Sequence, residues 1–184
     1  MSFSKLDRPM IIEKGMRLLD EEGLMQMSLR KLAKRLNVSV SSLYGHVCDK
    51  EELFYMVAGH IYVSAIENAR ETHHWTDWLQ ALGLSIWDIR TKVRDAHTLI
   101  IFTDISYFRN LYSEELSKEL INKGFPAVAA NEAHLSVQSL AFGWETLRSH
   151  DFDALEMEFD MFQAVLDLLI DGWRSKCRNF THLS

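Results

Sequence analysis

Residues 28–53 constrain this chain more than any other stretch. Leu29, Leu32, Ala33 and Leu36 recur at helical spacing. Ser28 stands just before them, where a hydroxyl accepts from a free first-turn N–H. Ala33 is small, so a following helix can cross closely. Asn37 tolerates the left-handed conformation that ends a helix and begins a tight turn. Ser39 is placed to cap a second helix, from Val40 to about His46, with Leu43 and Val47 on its inner face. The outer face is left with Ser41, Ser42, Tyr44 and His46. Asp49-Lys-Glu-Glu52 is a capping-box pattern with Asp in the hydroxyl position, and it opens a third helix at once.

That order of elements is a helix-turn-helix. Short hydroxyls, a phenol and an imidazole on one outer face can reach base edges or phosphates in a major groove. Charge points the same way. Residues 28–50 hold five cations (Arg30, Lys31, Lys34, Arg35, Lys50) and one acid (Asp49), while the whole chain carries −6. A basic patch on an acidic protein is the footprint of a phosphate contact. The plainer alternative is a solvated helix pair in an all-α protein.

The spelling of the motif narrows this further. The runs Leu6–Ile12, Leu18–Gly23, Ser28–Val38 and Ser42–Leu53, the last reading Ser-Leu-Tyr-Gly-His-Val-x-x-Lys-x-x-Leu, resemble the N-terminal domain of the tetracycline-repressor (TetR) family. The resemblance is dense over about the first fifty residues. It implies phosphate contacts by Tyr44 and Lys50, and base contacts by Arg30, Ser41, Ser42 and His46, with Ser28 alongside them. Gly45 stands where the tetracycline repressors carry a bulky aromatic, so their operator sequence does not transfer. By the same resemblance the His and Arg that hold a drug–magnesium chelate fall at about Ile100 and Asp104. Neither residue type is kept, so no metal and no cofactor are expected.

The remainder reads as helices. One runs from about Asp7 to Glu22, with Pro9 in its first turn, an inner stripe of Ile12, Met16 and Leu19, and Gly23 as its stop. The helix opened at Asp49 continues to about Thr72 through Leu53, Val57, Ile61 and Ala65, and would carry movement rigidly. Thr76 is expected to cap the next, to about Arg94. A short apolar piece, Ala96–Thr103, precedes a loop at 104–108. Further helices are expected over Asn110–Lys123, from Pro126 to about Ser149, and from Asp153 to Lys176. Strand signals are nearly absent. The fold class is therefore all-α, with a DNA-binding domain over 1–50 and an effector-binding and dimerisation domain over 51–184. Neither a signal pattern nor a run of about 18 apolar residues occurs, which makes the expected compartment the cytoplasm and excludes a membrane span. Cys48 and Cys177 form no ligand cluster.

Residues 53–184 hold 11 basic and 18 acidic side chains, so this half is no nucleic-acid surface. Its last two helices are apolar on more than one face, which calls for a second covering surface. A homodimer through Leu135, Phe142, Phe162, Leu166, Leu169 and Trp173 supplies one, and reading two half-sites also demands a two-fold. Aromatic density between 75 and 144 points to an internal pocket, with Trp78, Trp87, His97, Phe102, Tyr112, Gln138 and Phe142 as lining candidates and His134 and Thr103 as further polar groups. No phosphate loop, nucleophile elbow or metal-ligand spacing supports an enzyme. The reading is a regulator, a repressor released from a palindromic operator by a small, mostly apolar effector. The alternative is a ligand-independent DNA-binding or protein-interaction module whose aromatic interior is solid core.

Overall fold

The computed structural model describes residues 6–148 and 159–180, and within them every regular element is helical. The chain divides into two compact units, 1–62 with 90–105, and 63–89 with 106–184.

In the first unit α1 (Arg8–Glu22) opens at Asp7, whose carboxylate accepts from Met10 N at 2.9 Å. It closes at Gly23, whose φ of +82° suits a residue without Cβ and whose N–H donates to Leu19 O at 2.8 Å. The buried stripe is Ile11, Gly15, Leu18 and Leu19, not Ile12 and Met16, which are half-buried. An apolar count misses this register because Gly15, in the middle of the buried face, has no side chain to count. A short 3-10 turn follows, then α2 (Leu29–Leu36) and α3 (Val40–Tyr44). α4 (Lys50–Asn68) starts in this unit, and α6 (Ala96–Phe102) belongs to it. Leu18, Leu32, Leu43, Val47, Leu53 and Val57 are fully enclosed in this unit.

The second unit contains most of α5 (Trp75–Lys92), with α7 (Ser106–Asn122), α8 (Ala130–Arg148) and α9 (Phe159–Phe180). α4 ends at Asn68, four residues before the expected Thr72. Beyond its end Lys123 Nζ donates to the carbonyls of Arg70 and Thr72, at 3.3 and 2.5 Å. A cation at a helix C-terminus meets the negative end of the dipole. Thr76 is inside the first turn of α5, not at its cap. His74 takes that position, its carbonyl accepting from Trp78 N and its Nδ1 from Thr76 N. α7 starts at Ser106, so three of the five residues of the expected 104–108 loop are helical. The expected start of the last helix, at Asp153, lies outside the described residues.

α5 and α9 approach closely. A Cβ on Gly83 would stand 2.7 Å from a Leu166 methyl, so any larger residue there would force the Leu166 side chain to shift. One helical turn on, Trp87 stacks on Phe162 with centroids 4.7 Å apart. Phe162, Leu166, Ile170 and Trp173 form the inward stripe of α9, against the buried Ala133, Val137 and Ala141 of α8 in the same core.

Candidate nucleic-acid interface

Each turn of the helix-turn-helix is fixed by a local cap. Ser28 accepts from Lys31 N at 3.3 Å. Its hydroxyl therefore serves the helix first, and the residue is half-buried. Asn37 adopts φ 55°, ψ 42°, and Val38 N returns to Ala33 O at 3.0 Å, which closes α2 in the left-handed manner its sequence predicts. Ser39 accepts from Ser42 N at 3.0 Å, and the two hydroxyls lie 2.8 Å apart. Ser42 is exposed, but its hydroxyl is already shared with Ser39.

α3 ends at Tyr44, two residues short of the expected His46, since Gly45 follows and glycine is a poor helix former. His46 and Val47 then fold back, both donating to Leu43 O. Val47 is buried and His46 half-buried. Ser41 and Tyr44, the latter 54% exposed, are left facing outward with Gly45.

The next turn is built around Glu52. Asp49 caps α4 by accepting from Glu52 N at 2.7 Å, and the Glu52 carboxylate reaches back to Cys48 N at 2.7 Å, one residue beyond the usual capping-box partner. Arg8 also donates to it, at 3.0 Å. The Cys48 N–H and then its thiol hold Glu52 below the usual carboxylate range. In turn Glu52 pushes the Cys48 thiol up, which leaves it a poor thiolate. Lys50 is exposed and its Nζ sits 4.9 Å over the Phe54 ring.

The five cations of this stretch are not equivalent. Lys31 Nζ is 2.7 Å from Glu22, and Arg35 bridges Glu21 and Glu22 at 2.6 and 2.7 Å. Glu21 and Glu22 end α1, where the dipole disfavours acids, so these pairs offset that repulsion and tie α1 to α2. Glu22 is held below its ordinary pKa chiefly by Lys31. Arg30 and Lys34 are exposed, and among the described residues no ion pair holds either. The cations open to phosphate are therefore Arg30, Lys34 and Lys50, a smaller patch than the sequence count indicates.

The expected effector residues are spread over both units. Trp78 is fully buried on α5, Gln138 is buried on α8 with its Nε2 3.0 Å from His134 Nδ1, and Trp87, Tyr112 and Phe142 are half-buried, all in the second unit. His97 is buried on α6 in the first unit. Phe102 is not enclosed. At the end of α6 it is 83% exposed. Trp144, one of the aromatics between 75 and 144, is buried, and so is Ser85, a polar residue outside the expected set.

The expected dimer residues need a correction. Phe162 and Leu166 are 0% exposed within the single chain, and Trp173 is buried with Nε1 donating to Ser136 Oγ at 2.9 Å. They are core. Leu135, Phe142 and Leu169 are half-buried. The large outward apolar side chains of α9 are Phe159, Met161 and Leu168, 43%, 45% and 70% exposed. Leu168, Leu169, Gly172, Trp173 and Lys176 line a shallow groove of about 270 Å³.

Capped α2, a tight turn, a one-turn α3 with an outward face, and an appended helical unit define a helix-turn-helix protein. Residues 11–55 match the family described as bacterial regulatory proteins, tetR family. That match covers the helix-turn-helix and the start of α4, and over these residues the chain is similar to that family. HTH-type transcriptional regulators from Staphylococcus aureus strains, USA300 among them, are 31% identical over 74 residues. The chain spans about two fifths of the length of these curated relatives, 40%, and 39% of its own. Among solved structures, a variant of TetR from Acinetobacter baumannii AYE in complex with minocycline is 25% identical with a TM-score of 0.73, covering 94% of this chain and 99% of that one. BioQ with its natural double-stranded DNA operator has a TM-score of 0.67 at 22% identity, covering 93% and 99%. The Staphylococcus aureus relatives are described as transcriptional regulators. Among the described residues no helix is long and apolar enough to cross a membrane.

Proposed function

We propose that the chain is a homodimeric transcriptional repressor acting in the cytoplasm, with residues 1–50 as its DNA-reading domain and 51–184 as its effector-binding and dimerisation domain. The observation that carries this is the outward set on α2, α3 and the start of α4: Arg30, Ser41, Tyr44 and Lys50, each exposed and each on a turn fixed by its own cap. Arg30 and Ser41 read bases; Tyr44 and Lys50 hold phosphates. Ser42 and His46 contribute less, one through its shared hydroxyl and the other through burial. Ser28 acts by fixing the α2 N-terminus.

The second copy packs on the outer face of α8 and α9, where Leu135, Phe142, Met161, Leu168 and Leu169 meet their symmetry mates. Selection from random double-stranded DNA with the full chain tests the reading. Enrichment of a palindrome with half-sites about one helical turn or a multiple apart is expected. Failure to enrich any motif overturns it.

Release by a small, mostly apolar effector completes the proposal, and the minocycline-bound neighbour supports the class of control. Magnesium is not required, since Ile100 and Asp104 stand at the chelate positions. The path to the head has a concrete link in the first unit. Asp95, at φ 55°, opens α6 and accepts from Leu24 N at 2.8 Å, while Asp20 accepts from Arg94 N at 3.3 Å. Any shift of α6 pulls on the end of α1. By linkage, an effector that favours the shifted state binds more weakly once operator is bound.

A further inference from the structure

Glycine weakens an exposed helix interior, because it loses the most backbone freedom on folding and packs nothing. Such a residue needs a reason, and Gly172 has none within its own chain. It is exposed inside α9, and its backbone does not call for a positive φ. A Cβ there would meet nothing within 4 Å, whereas one on Gly83 would press on Leu166. The space beside Gly172 is therefore open to something outside the chain.

Gly172 belongs to a row. Asp160, Ala164, Leu168, Gly172 and Lys176 follow at intervals of four along α9, and all five are exposed. Such i±4 rows are the ridges by which helices pack. In order, the row is acid, small, large apolar, small, base. Turned end for end, it complements itself. The charges of the whole helix are sorted in the same sense. Every acid of α9, Asp160, Asp167 and Asp171, precedes every base, Arg174, Lys176 and Arg178. Asp171 pairs with Arg174 inside the helix, and Gln80 Nε2 donates to Asp167 at 3.2 Å. Asp160 and Lys176 close the row at its two ends. A parallel mate would set like charge against like, and an antiparallel mate sets acid against base.

We propose that α9 pairs antiparallel with α9 of a second copy, with the two-fold axis at Leu168. Leu168 then meets the partner's Leu168, Ala164 meets the partner's Gly172, and Asp160 meets the partner's Lys176. The small residues on either side of Leu168 let the two backbones close in. The shallow groove of about 270 Å³ lined by Leu168, Leu169, Gly172, Trp173 and Lys176 receives the partner's Leu168. This pairing rests on the homodimer reading above and adds to it an orientation and a register.

Sedimentation equilibrium of the full chain, with circular dichroism on the same samples, tests the pairing. Gly172→Leu should raise the dimer dissociation constant about a hundredfold, the scale of an overpacked contact. Helical content should hold, since the Cβ stands in open space within the chain. Asp160→Lys and Lys176→Asp should each raise the constant about tenfold, the scale of two exposed ion pairs lost per dimer. The double variant sets opposite charges face to face again and should bring the constant back toward that of the unmodified chain. A parallel pairing gives no such rescue, because like still meets like. Unchanged association of Gly172→Leu overturns the pairing, and so do charge losses that add in the double variant. Dimers that persist in those cases keep the homodimer reading and move it to another face. An unmodified chain that sediments as a folded monomer at tens of micromolar overturns the homodimer reading itself.

Discussion

The reading head and α9 expose surface in opposite ways. In the head, every outward side chain is set by a bond made within a few residues: Ser28 to Lys31, Ser39 to Ser42, Asp49 to Glu52. In α9, two apolar stripes run along one helix, and only packing against α5 and α8 decides which is buried. Phe162, Leu166, Ile170 and Trp173 turn inward, and Met161 and Leu168 stay outside. A surface built from caps is robust to what happens elsewhere. A surface defined by packing changes meaning with one step of helix rotation.

The sharpest way to break this contrast is to charge each stripe of α9. Leu166→Glu places a carboxylate in a fully enclosed site against Gly83 and should cost several kcal/mol, about 3–5, enough to unfold a marginal domain. Leu168→Glu adds charge where the side chain is 70% exposed, so the single chain should keep its helical content. If the second copy covers this stripe, sedimentation should report a folded monomer with operator affinity greatly reduced. A Leu168→Glu protein that stays dimeric places the interface elsewhere. A Leu166→Glu protein that folds normally refutes the inward register.

Next in size is the base contact. Arg30→Ala should remove about 1–3 kcal/mol of discrimination at one symmetric pair of operator positions. Ser41→Ala should act at a neighbouring position and less strongly. Both should leave the melting temperature alone, since neither side chain takes part in a cap. A mutant that selects the same motif from random DNA takes that residue out of base readout.

What the sequence made legible follows the same division. The α2–turn–α3 unit was readable because Ser28, Asn37, Ser39 and Asp49 act on their nearest neighbours, and residue type alone announces a cap. Three things were not readable. Lys31 and Arg35 look like free cations until α1 brings Glu21 and Glu22 beside them. The two stripes of α9 are both apolar, and periodicity does not say which faces in. Nothing in the sequence says that the fold encloses the Trp144 indole and the Ser85 hydroxyl without partners. Each of these is a fact about distant pairs, and a helical repeat carries no information on which distant residue arrives.

A smaller effect separates cap from contact within α3. Ser39→Ala should cost about 1 kcal/mol of stability through the lost bond to Ser42 N. It also frees the Ser42 hydroxyl. Thermal melting should fall by a few degrees, while the selected operator should change only where Ser42 newly reaches. Ser42→Ala, by contrast, keeps the Ser39–N bond and should barely move the melt. Equal destabilisation by both would mean that the hydroxyl pair, and not the cap, holds the turn.

The smallest expected effect is the one that tests charge accounting. Neutralising one phosphate contact lowers the slope of log K against log salt by about 0.9. Lys50→Ala should do this, because Lys50 is exposed at the start of α4 and leans only on the Phe54 ring. Lys34→Ala should do it too if the outer face of α2 lies along the backbone. Lys31→Ala should not: its ammonium is 2.7 Å from Glu22 and 2.9 Å from Gln26. Removing it leaves the operator's counterions where they were and loosens α1 from α2 instead, a surface-pair loss of about 0–1 kcal/mol. The two lysines share one basic stretch and differ only in what α1 brings near. A Lys31→Ala protein with a reduced slope would show that phosphate pulls the lysine off Glu22, and the head would then offer four of its five cations, Arg35 staying with Glu21 and Glu22.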